Sequence, residues 1–267
     1  MKSSVALVGK KDRVKGILLG LAAGDRNGGP IRMAVRLAES LIHAGKCDVE
    51  DIGSRYLDWW RKDAFDTGPT AARVFALADS GLSFPAAARQ VHIEAGEQTA
   101  GCNPAHRSAP LAMMSHLGAR QLAGCAMKEA ALTHHHPLSG DIAAAVVVLC
   151  HQLVQGAPWG DAIESACAGS LPETRAAMRT RQFDSLNKGG FAPDVLAAAV
   201  HFVGTNGSFD DALEEALQFA GPANYCPVVV GSIAGARWGI SGDNPSLLEH
   251  CAIQRRVRSA AEILASQ

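Results

Sequence analysis

The sequence predicts an all-α fold, a single-domain bundle of many short helices. Apolar residues recur with helical spacing along most of the chain, and no strand-like alternation persists. Turns that contain glycine or proline separate the helical segments. Of the 267 residues, 48% are hydrophobic and only 5% are aromatic. The chain therefore has enough apolar surface to bury a sizeable core.

The first third of the chain supplies five predicted helices. Arg32–Ala44 is the clearest, because Met33, Leu37 and Leu41 fall on one stripe. The helix that begins at Val49 opens on acidic residues, which favour a helix N-terminus. The five predicted segments are Arg13–Ala23, Arg32–Ala44, Val49–Arg61, Pro69–Ser80 and Ser83–Ala95.

Six further helices are predicted in the rest of the chain. Ser208 is placed to cap the last of them, and Asp210 and Asp211 occupy its first turn. Val146–Val148 is β-branched, but it lies in an alanine-rich run without turn signals, so a helix is predicted there as well. The six segments are Pro110–Ala123, Gly140–Gln155, Trp159–Ala168, Pro172–Arg181, Pro193–Val203 and Ser208–Phe219.

No linker, repeat or low-complexity segment divides the chain. We therefore predict an N-terminal extension over residues 1–12 and a single helical domain over residues 13–267. The sequence alone does not set the oligomeric state, so a monomer or a small homo-oligomer is expected.

Charge and cysteine content exclude several classes of protein. The formal net charge is −1 and no basic stripe is present, which argues against nucleic-acid binding. Seven scattered cysteines without a C-x-x-C pair indicate reduced thiols, and hence a cytoplasmic protein. The apolar run at the N-terminus is too short for a signal peptide. No apolar stretch approaches the roughly 18 residues that span a bilayer, so no membrane partner is expected.

Eight short motifs follow one another in an order more specific than any one of them. They are GILLGLAAGD (16–25), MAVRLAESL (33–41), YLDWW (56–60), FDTGPT (65–70), NPAHRSAPLAM (103–113), THHHPLSGD (133–141), GGFAPDVLAAAV (189–200) and VGSIAGARWG (230–239). Their order and spacing resemble the ADP-ribosylglycohydrolase family from about Arg13 to Gly239. The resemblance implies a helical bundle of that type, a cleft formed by interhelical loops, and cleavage of glycosidic bonds to ADP-ribose.

The departures from the family pattern concentrate on its metal centre. The family holds two magnesium ions with a T-D-D-T motif and a G-G-D-x-D-T motif. The second motif corresponds to Ala220–Tyr225, which lacks both carboxylates and the threonine that supplies the hydroxyl ligand. Counted back from Met33, the first motif falls on Gly28–Ile31, while the opening motif counted forward from Gly24 runs to Pro30 over the same residues. The simplest account is that the intervening loop, with its acidic ligands, has been deleted. Magnesium requires several oxygen ligands, so we expect no metal site and no metal cofactor.

The resemblance assigns candidate roles to the polar residues that remain. It places Asp66 near the ribose, and it places His134 or His136 against the ligand, so these three are the predicted catalytic residues. Asn103, His106 and Arg107 supply donors suited to a ribose, phosphate or carboxylate. The acidic residue that the family carries between these motifs corresponds to Glu94 or Glu97, and Glu97 is taken with Asn224, Tyr225 and Asp25 as further ligand-binding candidates.

Each candidate also has a purely structural interpretation. Asp66 and Asp25 are suited to cap helices, and Arg107 to lie on a surface loop. Consecutive histidines do not share a helix face, so a metal site at His134–His136 is disfavoured, and one histidine facing the cleft is expected. Asn224 could donate a hydrogen bond to a ribose hydroxyl and Tyr225 could stack on a base. Alternatively, both side chains only fill the space that the magnesium ions occupy in the family.

Three functional classes follow. The first is a hydrolase that cleaves a glycosidic bond to ribose, in a small molecule or in protein-linked ADP-ribose, without the dinuclear magnesium centre. The second is a catalytically inactive protein that binds ADP-ribose or a nucleotide. The third is a structural or interaction protein that keeps only the fold. A hydrolase should keep Asp66 and a histidine at one open cleft, whereas a structural protein should have a cleft collapsed around Pro222 and Tyr225.

Overall fold

The all-α prediction is confirmed. The computed structural model describes residues 9–180, 182–240 and 245–267, and within these ranges the only β pairing is an isolated bridge between Gly101 and Phe191. The helices are α1 (Lys10–Gly24), α2 (Gly29–Ala44), α3 (Val49–Asp63), α4 (Pro69–Asp79), α5 (Phe84–Glu94), α6 (Ala119–Ala130), α7 (Pro137–Val154), α8 (Trp159–Cys167), α9 (Pro172–Met178), α10 (Ala192–Thr205), α11 (Phe209–Ala220), α12 (Cys226–Trp238) and α13 (Gln254–Leu264).

Helices α1 and α12 form the closest pair in the bundle because glycines line their contact. A Cβ added to Gly20 would lie 2.0 Å from the carbonyl oxygen of Gly231, and one added to Gly231 would lie 1.9 Å from that of Gly20. Gly16 and Gly235 meet in the same way one turn further along. The two motifs at opposite ends of the chain are therefore the two halves of one interface. This contact places the end of α1 beside the start of α12.

Helix α7 is the buried centre of the bundle. It has 18 residues with a mean hydropathy of 1.5, so by length and composition it is apolar enough to cross a membrane. The prediction that no stretch reaches this length is wrong for this segment. Because 89% of the helix is buried inside the protein, packing against neighbouring helices accounts for its apolar character. The valines at 146–148 lie within it, as predicted.

Most predicted helices are present with shifted ends, but one is wrong. The segment Pro110–Ala123 contains a short 3₁₀ turn, Ala109–Met113, and then a break before α6. Gly118 is the N-cap of α6, and its backbone N–H donates to the side chain of Gln121 at 3.1 Å. A helix start therefore lies inside the segment that was predicted as continuous.

Two helices were not predicted. Helix α12 is buried on all sides and has no polar face to reveal its period, whereas α13 does carry an apolar stripe of Val257, Ala260, Ala261 and Leu264. At the other end, α1 begins at Lys10, inside the predicted extension, and residues 1–8 of that extension lie outside the described residues. Arg181, the predicted end of α9, also lies outside them.

Candidate functional site

A cleft with two adjoining lobes opens where the loops before α2, α4 and α12 meet. The His134 lobe has a volume of about 210 Å³ and is lined by residues 67–71 at the start of α4, with His134 and Gly190. The Asp66 lobe has a volume of about 370 Å³ and is lined by Asp66, Asn27 and residues 222–224. Gly68, Asn103, His106 and Tyr225 line both lobes. The cleft is open and has not collapsed around Tyr225.

Asp66 is held at the cleft by the start of α2. Its Oδ2 accepts a hydrogen bond from the Gly29 backbone N–H at 3.3 Å. Asp66 is not the N-cap of the following helix, because that position in α4 is Gly68. Its φ of 51° is uncommon for a residue with a side chain, although aspartate is among those that tolerate it. Loss of water raises the pKa of Asp66, and the nearby Asp25 carboxylate raises it further. Asp66 is the single carboxylate among the described residues that line the two lobes.

Asp25 is a buried cap for α2 and lines neither lobe. Its Oδ2 accepts from the Ile31 N–H at 2.8 Å, and its Oδ1 accepts from the Gly28 N–H at 2.7 Å. Oδ1 also accepts from the Asn224 amide at 2.8 Å. The side-chain oxygen of Asn224, Oδ1, in turn accepts a hydrogen bond from the Arg26 backbone N–H at 3.0 Å. An amide therefore joins the two segments at which the resemblance implies metal ligands.

Arg107 does not contact the cleft, so the prediction that it anchors an anionic group there is wrong. Its side chain is fully buried, and its Nε donates to Glu129 Oε1 at 2.5 Å. Its Nη1 donates to Asn103 Oδ1 at 2.6 Å and its Nη2 to Thr133 Oγ1 at 2.8 Å. The Tyr56 hydroxyl also donates to Glu129, at 2.8 Å. Arg107 instead supports two residues that do line the cleft, Asn103 and His134.

Two buried histidines face the cleft in their neutral form. Burial lowers the pKa of His134 to about 3, and the positive charge of Arg107 contributes. Burial also lowers the pKa of His106 to about 4. The His134 Nδ1 lies 2.9 Å from Thr133 Oγ1, and the Nε2 of His106 has no hydrogen-bond partner among the described residues. At neutral pH both rings can donate or accept a hydrogen bond without carrying charge.

Tyr225 forms the aromatic wall that the lobes share. Its ring stacks on His106 with centroids 6.2 Å apart and a 28° interplanar angle, and 42% of the residue is exposed. A Cβ on Gly190 would lie 3.0 Å from the tyrosine ring, so the absence of a side chain there lets the ring pack closely. Asn103 completes the wall, because its Nδ2 donates to the Thr67 carbonyl at 2.8 Å.

His136 and Glu97 lie away from the cleft, so their predicted roles there are wrong. His136 is the N-cap of α7, where its Nδ1 accepts from the Leu138 N–H at 3.2 Å. Glu97 is exposed in the turn after α5. Glu94, the alternative to Glu97, forms an exposed ion pair with Arg73. The expectation that one histidine of the three faces the cleft is met by His134.

The sequence did not identify the support beneath the cleft. No role was assigned from the sequence to the buried residues Glu129, Thr133 and Tyr56. None was assigned either to residues 67–71, which follow Asp66 and line the cleft. A signal for Glu129 was present, because it lies on the same face of α6 as Leu122 and Ala126, which are buried. A carboxylate on an apolar helix face requires a buried partner.

Comparisons with known proteins agree with the fold and identify the family. A family profile described as ADP-ribosylglycohydrolase matches residues 30–267. The "ADP-ribosylarginine hydrolase Tri1" of Pseudomonas putida (strain GB-1) is 23% identical, over 95% of this chain and 78% of the relative. The "ADP-ribosyl-[dinitrogen reductase] glycohydrolase" of Rhodospirillum rubrum is 23% identical, over 80% and 69%. A solved "ADP-ribosylglycohydrolase-related protein complex" is similar in fold, with a TM-score of 0.79 at 24% identity, over 97% of this chain and 99% of that one.

Proposed function

This chain belongs to the ADP-ribosylglycohydrolase family, and we propose that it hydrolyses a glycosidic bond to ribose in the cleft lined by Asp66. Family membership supports a glycohydrolase-like activity. The observation that carries the more specific proposal is Asp66 itself, the one carboxylate among the described residues that line the cleft. The backbone N–H of Gly29, at the start of α2, donates to it, and loss of water raises its pKa. The substrate class is an ADP-ribosyl group or a related riboside, free or attached to a protein.

Asp66 supplies the charge that this reaction needs. As the bond between the anomeric carbon and its leaving group breaks, positive charge develops on the ribose ring. The Asp66 carboxylate stabilises that charge or takes a proton from the attacking water, whose oxygen then bonds to the anomeric carbon. The leaving group departs with the bonding electrons and takes up a proton. His134 and Asn103 orient the ribose, and the exposed face of Tyr225 stacks on a base.

We further propose that the reaction proceeds without a dinuclear magnesium centre. The donors around the cleft do not fit such a centre, because Asp66 is its single carboxylate among the described residues. Asp25 already accepts hydrogen bonds at both carboxylate oxygens. Within the described ranges, no group of three or more histidine, cysteine or acidic residues is arranged to hold a metal ion. Magnesium favours several oxygen ligands in near-octahedral geometry, which this set does not supply.

The test separates binding from turnover. Calorimetric titration with ADP-ribose, first in EDTA and then in magnesium, should give the same micromolar affinity in both. Release of ADP-ribose from ADP-ribosylarginine is then followed by chromatography, since the Pseudomonas relative is named for that conjugate. Turnover that needs magnesium contradicts the metal-free part of the proposal. The absence of binding in either condition contradicts the ADP-ribose assignment.

A second candidate is a catalytically inactive protein that binds ADP-ribose. It is favoured by Asn224 and Tyr225, which stand where the resemblance implies metal ligands and whose side chains offer an amide and a stacking surface. Under this alternative ADP-ribose binds but no conjugate is cleaved, and Asp66→Asn leaves the affinity unchanged. A protein that keeps only the fold is less well supported, because the cleft is open.

A further inference from the structure

The buried network beneath the cleft has hydrogen bonds whose direction is fixed by chemistry. Arg107 can only donate, because a guanidinium carries N–H groups and no acceptor. Its Nη2 lies 2.8 Å from Thr133 Oγ1, so the threonine oxygen accepts this bond. Its Nε and Nη1 are engaged by Glu129 and Asn103. Arg107 has a pKa that the Glu129 carboxylate raises against the opposing effect of burial, so it remains charged.

The direction of the next bond follows from the first. Thr133 is fully buried, and its oxygen lies 2.9 Å from His134 Nδ1. Since Arg107 has no acceptor to offer, His134 Nδ1 is the one acceptor that the described contacts provide for the threonine proton. A buried hydroxyl that cannot donate costs free energy, so the arrangement in which Nδ1 accepts is favoured. A neutral imidazole that accepts at Nδ1 carries its proton at Nε2.

We propose that Arg107 and Thr133 are positioning residues that hold His134 as its Nε2–H tautomer, so that the His134 lobe offers this histidine as a hydrogen-bond donor rather than as a base. The Nε2 atom faces the loop at Gly101, where an added Cβ would lie 3.2 Å away, on the wall of that lobe. The pKa of about 3 is consistent, because the ring then stays neutral across the working range of pH. Asp66, rather than His134, then takes the proton from the attacking water.

This inference rests on the proposed function only for the identity of the group that accepts the hydrogen bond from His134 Nε2–H. A ribose hydroxyl or ring oxygen accepts a hydrogen bond from Nε2–H without any transfer of a proton. His134 then orients the sugar through this hydrogen bond, and it should contribute to substrate affinity. The tautomer itself is a property of the free protein and does not depend on any ligand.

The tautomer is tested by long-range proton–nitrogen NMR of the imidazole rings in the unliganded protein. We expect the His134 signal to show a protonated Nε2 and a bare Nδ1, and we expect it to stay unchanged as the pH is lowered from 8 to about 5. A protonated Nδ1, or an even mixture of tautomers, would overturn the inference. Replacement of His134 by glutamine assigns the signal.

Thr133→Val and Thr133→Ser form a matched pair that tests whether the Thr133 hydroxyl, by positioning His134, contributes to ADP-ribose affinity. The valine variant keeps the shape and loses the hydroxyl, so the preference for one tautomer should weaken and ADP-ribose affinity should fall about tenfold, the value of one hydrogen bond. The serine variant should keep both. If wild-type protein binds ADP-ribose and the valine variant binds it equally well, the positioning role is wrong. If wild-type protein does not bind it, the proposed function fails while the NMR result still decides the tautomer.

Discussion

At the scale of single residues, Asp66 combines a strained backbone with an unfavourable charge. Its φ of 51° costs on the order of 1 kcal/mol for a residue other than glycine. The approach to α2 is close enough that a Cβ on Gly29 would lie 2.2 Å from the Asp66 carbonyl oxygen. Neither feature is needed to build a helical bundle. A strained residue kept at a cleft is a reason to assign it a functional role.

Asp66→Asn should greatly slow turnover without harming the fold. Positioned acid–base groups contribute about 10²–10⁴-fold to rate, so we expect a loss of that size. Asparagine tolerates the left-handed backbone and can still accept from the Gly29 N–H. Because the folded-state pKa of Asp66 is raised, its ionisation destabilises the fold at neutral pH. The variant should therefore match or exceed the wild-type melting temperature at pH 7, with the advantage vanishing at a pH low enough to protonate Asp66. Turnover within twofold of wild type would exclude Asp66 as the reacting group.

The pH dependence of activity should have an acidic limb from Asp66 and none from His134. The carboxylate must be ionised, so kcat/KM should fall as the pH decreases through a pKa that is raised above the ordinary value for aspartate. His134 has a pKa of about 3 and does not change charge near 6.5, where an ordinary histidine titrates. Rate profiles of wild-type protein and of a His134→Gln variant check this. An inflection near neutrality that disappears in the variant would contradict it.

Asn224→Asp tests the amide that joins the ends of α1 and α12. The change places a second carboxylate 2.8 Å from Asp25 Oδ1, in the position of the present donor. We expect a loss of about 1–3 kcal/mol in unfolding free energy at pH 7, partly recovered at acidic pH where one carboxyl becomes protonated. Asn206→Asp is the matched control, since Asn206 donates to Glu215 at 2.8 Å in an exposed position and solvent screens the new repulsion. Equal effects of the two changes in chemical denaturation would mean that the Asn224 amide is not a special contact.

At the scale of elements, the contact between α1 and α12 brings together the loops that carry Asp25 and Asn224. Backbones approach closely where Gly16 and Gly20 meet Gly235 and Gly231. Gly24, at the end of α1, lies against Pro227 at the start of α12, where an added Cβ would be 2.0 Å from the Pro227 carbonyl oxygen. Asp25 directly follows α1 and Asn224 lies two residues before α12, so the two side chains can reach each other only because the helices touch. Small residues at one interface thus control polar contacts in a loop.

Gly20→Ala should destabilise the protein, although alanine favours helices. Its Cβ would fall 2.0 Å from a backbone oxygen that cannot move alone, so we expect a loss of about 1–3 kcal/mol or more from overpacking. Gly124→Ala in α6 is the control, because nothing lies within 4 Å of the added Cβ. That control should gain about 0.5–1 kcal/mol from helix propensity. Denaturant unfolding measures both, and a stable Gly20→Ala protein would mean that the helices can separate at little cost.

At the scale of the whole molecule, one main apolar core includes residues from Val14 to Leu264. Loops from distant parts of the sequence are fixed to this core and form the cleft. All seven cysteines are free thiols, so no disulfide contributes to stability. A ligand in the cleft contacts several of these loops together. Binding should therefore stabilise the entire fold.

ADP-ribose at about 100 times its dissociation constant should raise the unfolding free energy by about 2.7 kcal/mol. The gain follows from mass action alone, and it should appear as a higher melting temperature in EDTA as well as in magnesium. Differential scanning fluorimetry of wild-type protein measures it. A shift that appears only with magnesium would show that a metal ion takes part in binding, against the proposal made from the donor set.

The sequence by itself determined the fold class, most of the helices and several of the polar residues at the cleft. Helices follow from local spacing of apolar residues, which needs no knowledge of partners. Asp66, Asn103, His106, His134, Asn224 and Tyr225 were all candidates from the sequence, and all line the cleft. Their contacts with a ligand remain predictions.

The tertiary structure alone decided what each polar side chain meets. Arg107 and Asn103 are four positions apart in the motif at 103–113, yet only Asn103 lines the cleft, because Glu129 lies where it neutralises Arg107 inside the core. His134 and His136 share one motif, but the start of α7 turns His136 away from the cleft as a cap. Side-chain direction in a loop depends on elements far away in sequence, and no local pattern records which of them will be adjacent. Helical periodicity is local, whereas a site assembled from loops is not.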